Sequence, residues 1–261
     1  MRGCITHFHA FELRWSMNEI LDGRDVIRRE MSVRDIAQYI ERTARWVAPE
    51  TFELLPLWFP EYARRSPFFK CNWSEPQSNT NRRTGVSIHK LESNRYASRA
   101  LMLALGVSKR PSNWSCCHIW SVDDPTFQLS NEIVVDRRYY SCVGNMLLLP
   151  TPLKAFTDSM PEIKTMLRIC ARNLYNWHCD HDSLLAANAA LTIWEDWTAY
   201  PESWPRFPGE KRPRGIVPRS SAIERCAKSR LNQIRKDLAT AGEFYPREEV
   251  RSALAYWGIE A

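Results

Sequence analysis

The sequence predicts an α+β protein that is mainly helical, with a small strand-containing core embedded between helical N- and C-terminal parts. Three observations support this class. Apolar residues recur at helical spacing along most of the chain. β-Branched and aromatic runs at 114–122 and 133–140 flank an Asp-Asp-Pro turn signal, which is typical of paired strands. Five prolines then punctuate a basic stretch before two further helical patterns. The expected segments are a helical region (1–111), a core with supporting helices (112–200), and a basic Pro-rich linker with C-terminal helices (201–261).

The first predicted helix covers residues 33–48. Ser32 precedes it, with Asp35 three residues later, which is a capping-box pattern. Pro49 is expected to end this helix because proline cannot continue the hydrogen-bond ladder. The aromatic segment that follows contains three prolines, so short helices or buried loop are expected there.

Residues 74–84 are polar and are predicted to form a flexible loop. A helix is predicted over 93–105, with Gly106 just past its end. After the two strand-like runs, Gly144 and Asn145 lead into the short apolar run Met-Leu-Leu-Leu-Pro. A helical pattern follows immediately.

The C-terminal part is predicted to contain four more helices. Ser159 and Glu162 are expected to cap the first, and Ser183 to open the second, which runs to Trp197. The third covers 221–241 and the fourth 247–257. The apolar face of the first consists of Ile163, Met166, Leu167, Cys170 and Leu174.

Composition excludes several classes of protein. No window approaches the ~18 consecutive apolar residues of a membrane helix. Residues 1–15 lack the apolar run of a signal peptide, so we expect a cytoplasmic protein. A chain of this length can bury a core without disulfides and shows no export signal, so the eight cysteines are expected to be thiols. They include no Cys-x-x-Cys pair, the strongest sequence signature of a structural zinc site.

Positive charge is concentrated near the C-terminus. Residues 206–236 contain ten basic and two acidic side chains, a balance of +8 in a chain whose total is +6. Such a stripe is typical of a protein that binds a polyanion, although a solvated helix face has the same composition. The predicted phosphate-binding residues are Arg212, Arg214, Arg219, Arg225, Lys228 and Arg235.

Three short motifs carry the candidate chemistry. They are Cys117-His118-Ile119, then Gly144-Asn145 followed by Met-Leu-Leu-Leu-Pro, then Lys154 and Asp158 on a predicted helix. In this order they resemble the HNH (ββα-metal) nuclease superfamily, in the branch with His-Ile-x-Pro and Gly-Asn-Leu-x-Leu-Leu-Pro segments. The resemblance is limited to about residues 114–160.

The resemblance implies a role for each matching residue. His118 would be the general base that activates water, and Asn145 would orient it through its side-chain amide. A divalent metal, Mg²⁺ or Mn²⁺ with Zn²⁺ as a further option, would be held by the residue before the histidine and by the helix. Those positions correspond to Cys117 and Asp158.

Two positions depart from the family pattern. Cys117 replaces the usual Asp, Glu or His and is a soft ligand that suits Mg²⁺ poorly. Lys154 replaces the usual Asn or His, and a protonated ammonium has no lone pair for a metal. Three arrangements stay open: Cys117 with Asp158 on Zn²⁺ or Mn²⁺, Asp158 with Asp123 or Asp124 on Mg²⁺, or Lys154 itself as the positive charge at the phosphate.

The function expected from this resemblance is metal-dependent hydrolysis of phosphodiester bonds in DNA, in preference to RNA. The branch that it resembles implies a restriction or phage-defence nuclease. The alternatives are a nucleic-acid-binding protein with a degenerate HNH fold, and an interaction subunit of a larger complex. A homodimer or a protein partner is compatible with each. The cluster His178-Cys179-Asp180-His181 is interpreted as a polar turn between helices.

Overall fold

The computed structural model describes residues 22–121 and 131–260, and within them the protein is α+β and about 49 % helical. The α-helices of the described residues are α1 (Gly23–Glu30), α2 (Val33–Thr43), α3 (Pro49–Leu54), α4 (Arg95–Ala104), α5 (Arg137–Tyr140), α6 (Thr151–Ser159), α7 (Pro161–Tyr175), α8 (Leu185–Thr192), α9 (Ser221–Thr240) and α10 (Arg247–Tyr256). The strands are β1 (Trp46–Val47), β2 (Phe69–Lys70), β3 (Glu75–Pro76), β4 (Ser78–Thr80), β5 (Ser87–His89), β6 (Trp114–His118), β7 (Met146–Pro150) and β8 (Ile216–Val217).

The described strands form four separate pairs. β6 and β7 are antiparallel, with a register that runs from Trp114 opposite Pro150 to His118 opposite Met146. β1 pairs in parallel with β8, whereas β2–β3 and β4–β5 are antiparallel. Arg45, just before β1, exchanges backbone hydrogen bonds with Leu148 of β7. The β6–β7 and β1–β8 pairs are therefore adjacent.

Helix α2 begins as predicted and ends earlier. Ser32 and Asp35 form the complete capping box. The helix stops at Thr43 because the next residues are extended and bond elsewhere, with the Trp46 amide donating to the carbonyl of Gly215 at 3.0 Å. The prediction that Pro49 ends this helix is wrong. Pro49 starts α3, where its missing N–H costs no hydrogen bond.

The predicted flexible loop at 74–84 contains paired strands. β4 and β5 form an exposed hairpin, and the Asn81 side chain accepts from the Arg83 amide at 2.9 Å in the turn between them. Gly85 adopts a positive φ of 69° at its end. Every residue of both strands is exposed, so the alternation that signals a half-buried strand is absent from the sequence.

The prediction of a strand at 133–140 is wrong. The chain there forms a short 3₁₀ turn, Glu132–Val134, and then α5. Asp136 caps α5 by accepting from the Arg138 amide at 2.8 Å, and this local bond outweighs the strand preference of the neighbouring side chains. The partner of β6 is therefore β7. The predicted residues of the first strand beyond Ser121 lie outside the described part of the chain.

The C-terminal helices follow the predicted pattern with shifted ends. Ser159 is the last residue of α6 rather than a cap, and α7 begins one residue after Met160 with Pro161 in its first turn. All five residues of the predicted apolar face of α7 are buried. Helix α8 ends at Thr192, before Trp197, and Ser220 caps α9.

One hydrophobic cluster draws residues from all three predicted segments, among them Ile36, Leu147 and Ile234. The Pro-rich stretch packs against it, since Trp204 is buried with its ring edge-on to Trp46 at 5.9 Å. Among the described residues, no helix is both long and apolar enough to cross a bilayer. The strand pair β6–β7 lies inside this cluster with α4 and α6 against it.

Candidate active site

The motif residues lie on a strand–strand–helix unit formed by β6, β7 and α6. Strand β7 passes into α6 without a loop. On β6, Ser115 faces α6, where its hydroxyl lies 2.9 Å from that of Thr151. Cys117 lies on the same face as Ser115 because alternate residues of a strand share a face. The sequence therefore folds the three motifs into one compact unit.

His118 is the last residue of β6 and is half-buried. Its Nε2 atom lies 2.9 Å from the carbonyl oxygen of Tyr140, and the two rings are stacked with centroids 6.0 Å apart. A carbonyl only accepts hydrogen bonds, so Nε2 carries the hydrogen in this contact. In the neutral ring the lone pair is then on Nδ1. The Tyr140 hydroxyl donates in turn to the buried carboxylate of Glu92.

Asn145 is fully buried and joins the residues after His118 to the α5 segment. Its Oδ1 accepts from the Trp120 amide at 2.6 Å, and its Nδ2 donates to the carbonyl of Tyr139 at 3.2 Å. The Asn145 carbonyl also accepts from the Ile119 amide at 2.8 Å. Asn145 thus connects the segment after His118 with the segment before Tyr140, whose carbonyl contacts the His118 ring.

The resemblance leads one to expect His118 to face α6, and the structure differs. Consecutive residues of β6 point to opposite faces, so Cys117 faces α6 and His118 lies against Tyr140. Burial raises the pKa of the Cys117 thiol to about 11, although Lys154 opposes the shift. The thiol is therefore neutral at physiological pH.

Lys154 and Asp158 lie one turn apart on α6 and form an ion pair with each other. Both side chains are partly exposed, at 37 % and 44 %. The structure thus brings together Cys117, Lys154 and Asp158 on one face of β6, and His118 with Asn145 beyond its end.

The donor set of the described residues does not fit a divalent cation. No group of three His, Cys, Asp or Glu side chains converges anywhere in residues 22–121 and 131–260. Cys117 is a buried neutral thiol, and Asp158 is paired with the ammonium of Lys154. Asp123 and Asp124, the other expected ligands, lie outside the described residues.

Two cationic side chains of α7, which belong to none of the three motifs, bond to the backbone around His118. Lys164 Nζ donates to the His118 carbonyl at 3.0 Å, and Arg168 donates to the Ser121 carbonyl at 2.5 Å. Both line a cavity of about 350 Å³ together with Thr157 and Asp158. The only sequence signal is their i, i+4 spacing at the edge of an apolar helix face, which is common in structural helices.

The predicted phosphate-binding residues divide into two groups. Arg212, Arg214 and Arg219 pair with carboxylates, at 2.7 Å from Glu50, 3.1 Å from Glu41 and 3.1 Å from Glu224, respectively. The other three are exposed on α9: Arg225, Lys228 and Arg235. Sequence counting could not foresee these partners because two of the three lie more than a hundred residues away.

The cluster at residues 178–181 is a turn between α7 and the helical segment that leads into α8. Asp180 accepts from the hydroxyls of Tyr139 at 2.5 Å and Tyr256 at 2.7 Å. His181 caps the short helical segment that follows, since its Nδ1 accepts from the Ser183 amide at 3.2 Å.

No family model, no curated protein and no solved structure matches this chain.

Proposed function

We propose that this chain is an endonuclease of the HNH type that hydrolyses phosphodiester bonds in DNA. The observation that carries the proposal is the way His118 is held. Its Nε2 bonds to the Tyr140 carbonyl, and the buried Asn145 fixes the segments on both sides of that contact. A histidine restrained in one tautomer at the end of a strand is arranged for proton transfer rather than for packing.

Phosphodiester hydrolysis needs a base for the attacking water. With hydrogen on Nε2, the neutral His118 ring has its lone pair on Nδ1, and this nitrogen can accept a proton. We therefore assign His118 Nδ1 as the atom that accepts the proton of the attacking water. The Tyr140 carbonyl stabilises the imidazolium that results. Asn145 acts as a positioning residue.

The reaction also needs positive charge at the phosphate. Lys154 corresponds in sequence to a metal ligand of the family pattern, and exchange of its partner Asp158 for a phosphate oxygen would cost little. Exposed i, i+4 ion pairs contribute only about 0.3–0.5 kcal/mol. We assign this role to Lys154. The resemblance implies Mg²⁺, Mn²⁺ or Zn²⁺ for this charge, but the donor set of the described residues does not fit a divalent cation.

The exposed cations of α9 supply a surface for the DNA backbone. Arg225, Lys228 and Arg235 lie on the exposed part of one helix, so they can approach consecutive phosphates together. Contacts of this kind position a duplex without reading its sequence.

A second candidate function is binding of nucleic acid without cleavage. Two observations favour it: the carboxylate of Asp158 is paired with Lys154, and Cys117 is a buried neutral thiol. On this alternative the strand–strand–helix unit keeps its shape and has lost its chemistry.

The test compares the wild type with His118→Ala on plasmid and single-stranded DNA, with Mg²⁺, Mn²⁺ and Zn²⁺ supplied in turn and with a chelator. We expect His118→Ala to lower the cleavage rate by about 10²–10⁴-fold and to leave DNA affinity unchanged. The matched control is His89→Ala, since His89 is exposed on β5. Equal cleavage by His118→Ala and the wild type would overturn the proposal, and binding without cleavage by the wild type would favour the second candidate.

A further inference from the structure

A groove of about 610 Å³ lies between α4 and α9, away from the face of β6 that carries Cys117. Its floor contains Phe59, Glu61, Tyr62 and Trp73, and Arg99 and Arg225 line it from the two helices. We call it the α4–α9 groove. Its volume is within the range of sites for small ligands.

The floor of the groove contains an unsatisfied carboxylate oxygen. Glu61 is 4 % exposed, and its Oε1 pairs with the guanidinium of Arg230. Its Oε2 is buried, and no hydrogen-bond donor of the described residues reaches it. Buried polar atoms are nearly always hydrogen-bonded, so this oxygen points to a donor that a ligand supplies.

Aromatic rings form the rest of the floor. Tyr62 stacks face to face on Tyr96, with an angle of 9° between the rings. The ring centroids of Trp73 and Tyr62 are 5.1 Å apart. The ring centroids of Phe59 and Tyr96 are 5.2 Å apart. Phe59, Tyr62 and Trp73 are each less than a tenth exposed, so they form a closed apolar floor against which a planar group can pack.

The rim of the groove is cationic. Arg99 and Arg225 are exposed, and neither forms an ion pair with a carboxylate of the described residues. Asp237, the acidic residue at the rim, accepts from Gln233 at 2.8 Å. Guanidinium groups at the mouth of an aromatic groove suit a phosphate attached to the planar group.

We propose that the α4–α9 groove binds a nucleoside phosphate whose base carries an amino group. The base packs against the aromatic floor, its amino group donates to Glu61 Oε2, and its phosphate accepts from Arg225 and Arg99. The same chemical unit is present in a free nucleotide and in an unpaired nucleotide of a strand. This site is separate from the His118 site and goes beyond the proposed cleavage.

The exposed thiol of Cys226 also lines the groove and reports on its occupancy. The experiment measures the rate of Cys226 alkylation by iodoacetamide, by mass spectrometry, in the full chain with Cys4→Ser and Cys71→Ser. The probes are the 5′-monophosphates of guanosine, adenosine, cytidine and uridine, inorganic phosphate, and single-stranded DNA. We expect the three amino-bearing nucleotides to slow alkylation more than uridine monophosphate does, and phosphate alone to have no effect.

Two variants test the residues, each measured against its own rate without ligand. Arg225→Ala should raise the nucleotide concentration needed for protection by about tenfold, since a charge-assisted hydrogen bond is lost. Lys236→Ala is the matched control, because Lys236 is exposed on the same helix, does not line the groove and is not assigned to the DNA surface. Ser229→Phe, which fills the mouth of the groove from an exposed position, should abolish protection.

Protection by mononucleotides identifies a free-nucleotide site, and protection by single-stranded DNA alone assigns the groove to a strand; both support the proposal. Three results would overturn it: no protection by any nucleotide or strand, equal protection by phosphate alone, or unchanged protection in Arg225→Ala. The assay does not depend on cleavage, so its failure and the failure of the proposed nuclease activity are distinguishable.

Discussion

Residue by residue, the candidate site depends on which face of β6 a side chain occupies. Cys117 and His118 are neighbours in the motif, yet one faces α6 and the other lies against Tyr140. The motif identified both residues and Asn145 from the sequence. It could not identify Tyr140 or Lys164, because their contacts with His118 are long-range and involve backbone carbonyls. Such contacts leave no pattern in the side-chain sequence.

Asn145 should contribute strongly to stability. Replacing it with Ala leaves the Trp120 amide and the Tyr139 carbonyl without their buried partner, and each unsatisfied group costs about 1–3 kcal/mol. We expect Asn145→Ala to lower the free energy of unfolding in urea by about 2–4 kcal/mol. Asn79→Ala, on the exposed strand β4, should change it by less than about 0.5 kcal/mol. Equal effects of the two variants would contradict the buried role of Asn145.

Cys117 should titrate above the ordinary range of a thiol. Burial raises its pKa to about 11 from a usual value of 9.0. The neutral thiol therefore contributes stability below pH 9, and that contribution is lost as the pH rises toward 11. The measurement is thiolate absorbance against pH, as the difference between wild type and Cys117→Ser. A difference midpoint at pH 9 or below would show that the thiol is not buried between β6 and α6.

Among the elements, the prediction of a strand at 133–140 is wrong, because a short apolar run does not distinguish a strand from a helix. Residues 133–140 have strand-forming side chains, but Asp136 starts a helix and Tyr139 and Tyr140 are buried through tertiary contacts. The partner of β6 is β7, a continuous apolar run with no alternation that periodicity could detect. Long amphipathic segments such as α7 and α9 were predicted well, because many positions agree on one helical period.

Helix α9 has a buried ionic contact on one side and exposed cations on the other. Arg230 is 10 % exposed, pairs with the buried Glu61 and donates to the Trp58 carbonyl at 2.7 Å. Removing one partner of such a pair typically costs 3–5 kcal/mol, since the remaining charge is left buried. We expect Arg230→Ala to lower the unfolding free energy by about that amount. Lys228→Ala, exposed on the same helix, is the control and should be nearly neutral. A small effect of Arg230→Ala would show that Glu61 is neutral in the folded protein.

For the whole molecule, the sequence locates the positive charge and the structure limits how much of it is available. The stretch from 206 to 236 carries an excess of eight positive charges, but carboxylates from distant segments neutralise part of it. Ion pairs between segments far apart in sequence cannot be counted from composition. The cations of this stretch that have no carboxylate partner among the described residues therefore lie mainly on α9.

The contrast between the α9 cations and the arginines paired with carboxylates allows a matched test of the DNA surface. One triple variant replaces exposed cations with Gln: Arg225, Lys228 and Arg235. The other replaces paired arginines with Gln: Arg212, Arg214 and Arg219. The two variants have the same net charge, so a difference in DNA affinity reports the position of the charge and not its amount.

We expect the exposed triple variant to lose more affinity and more salt dependence than the paired one. Each phosphate contact contributes a slope of about −0.9 in log affinity against log salt, so three lost contacts should reduce the slope by about 2.7. The paired arginines are already engaged with Glu50, Glu41 and Glu224, and their loss should change the slope less. Fluorescence anisotropy with one labelled duplex over a range of salt concentrations measures both quantities. A salt-independent wild type, or a larger loss in the paired variant, would place the DNA surface elsewhere than on α9.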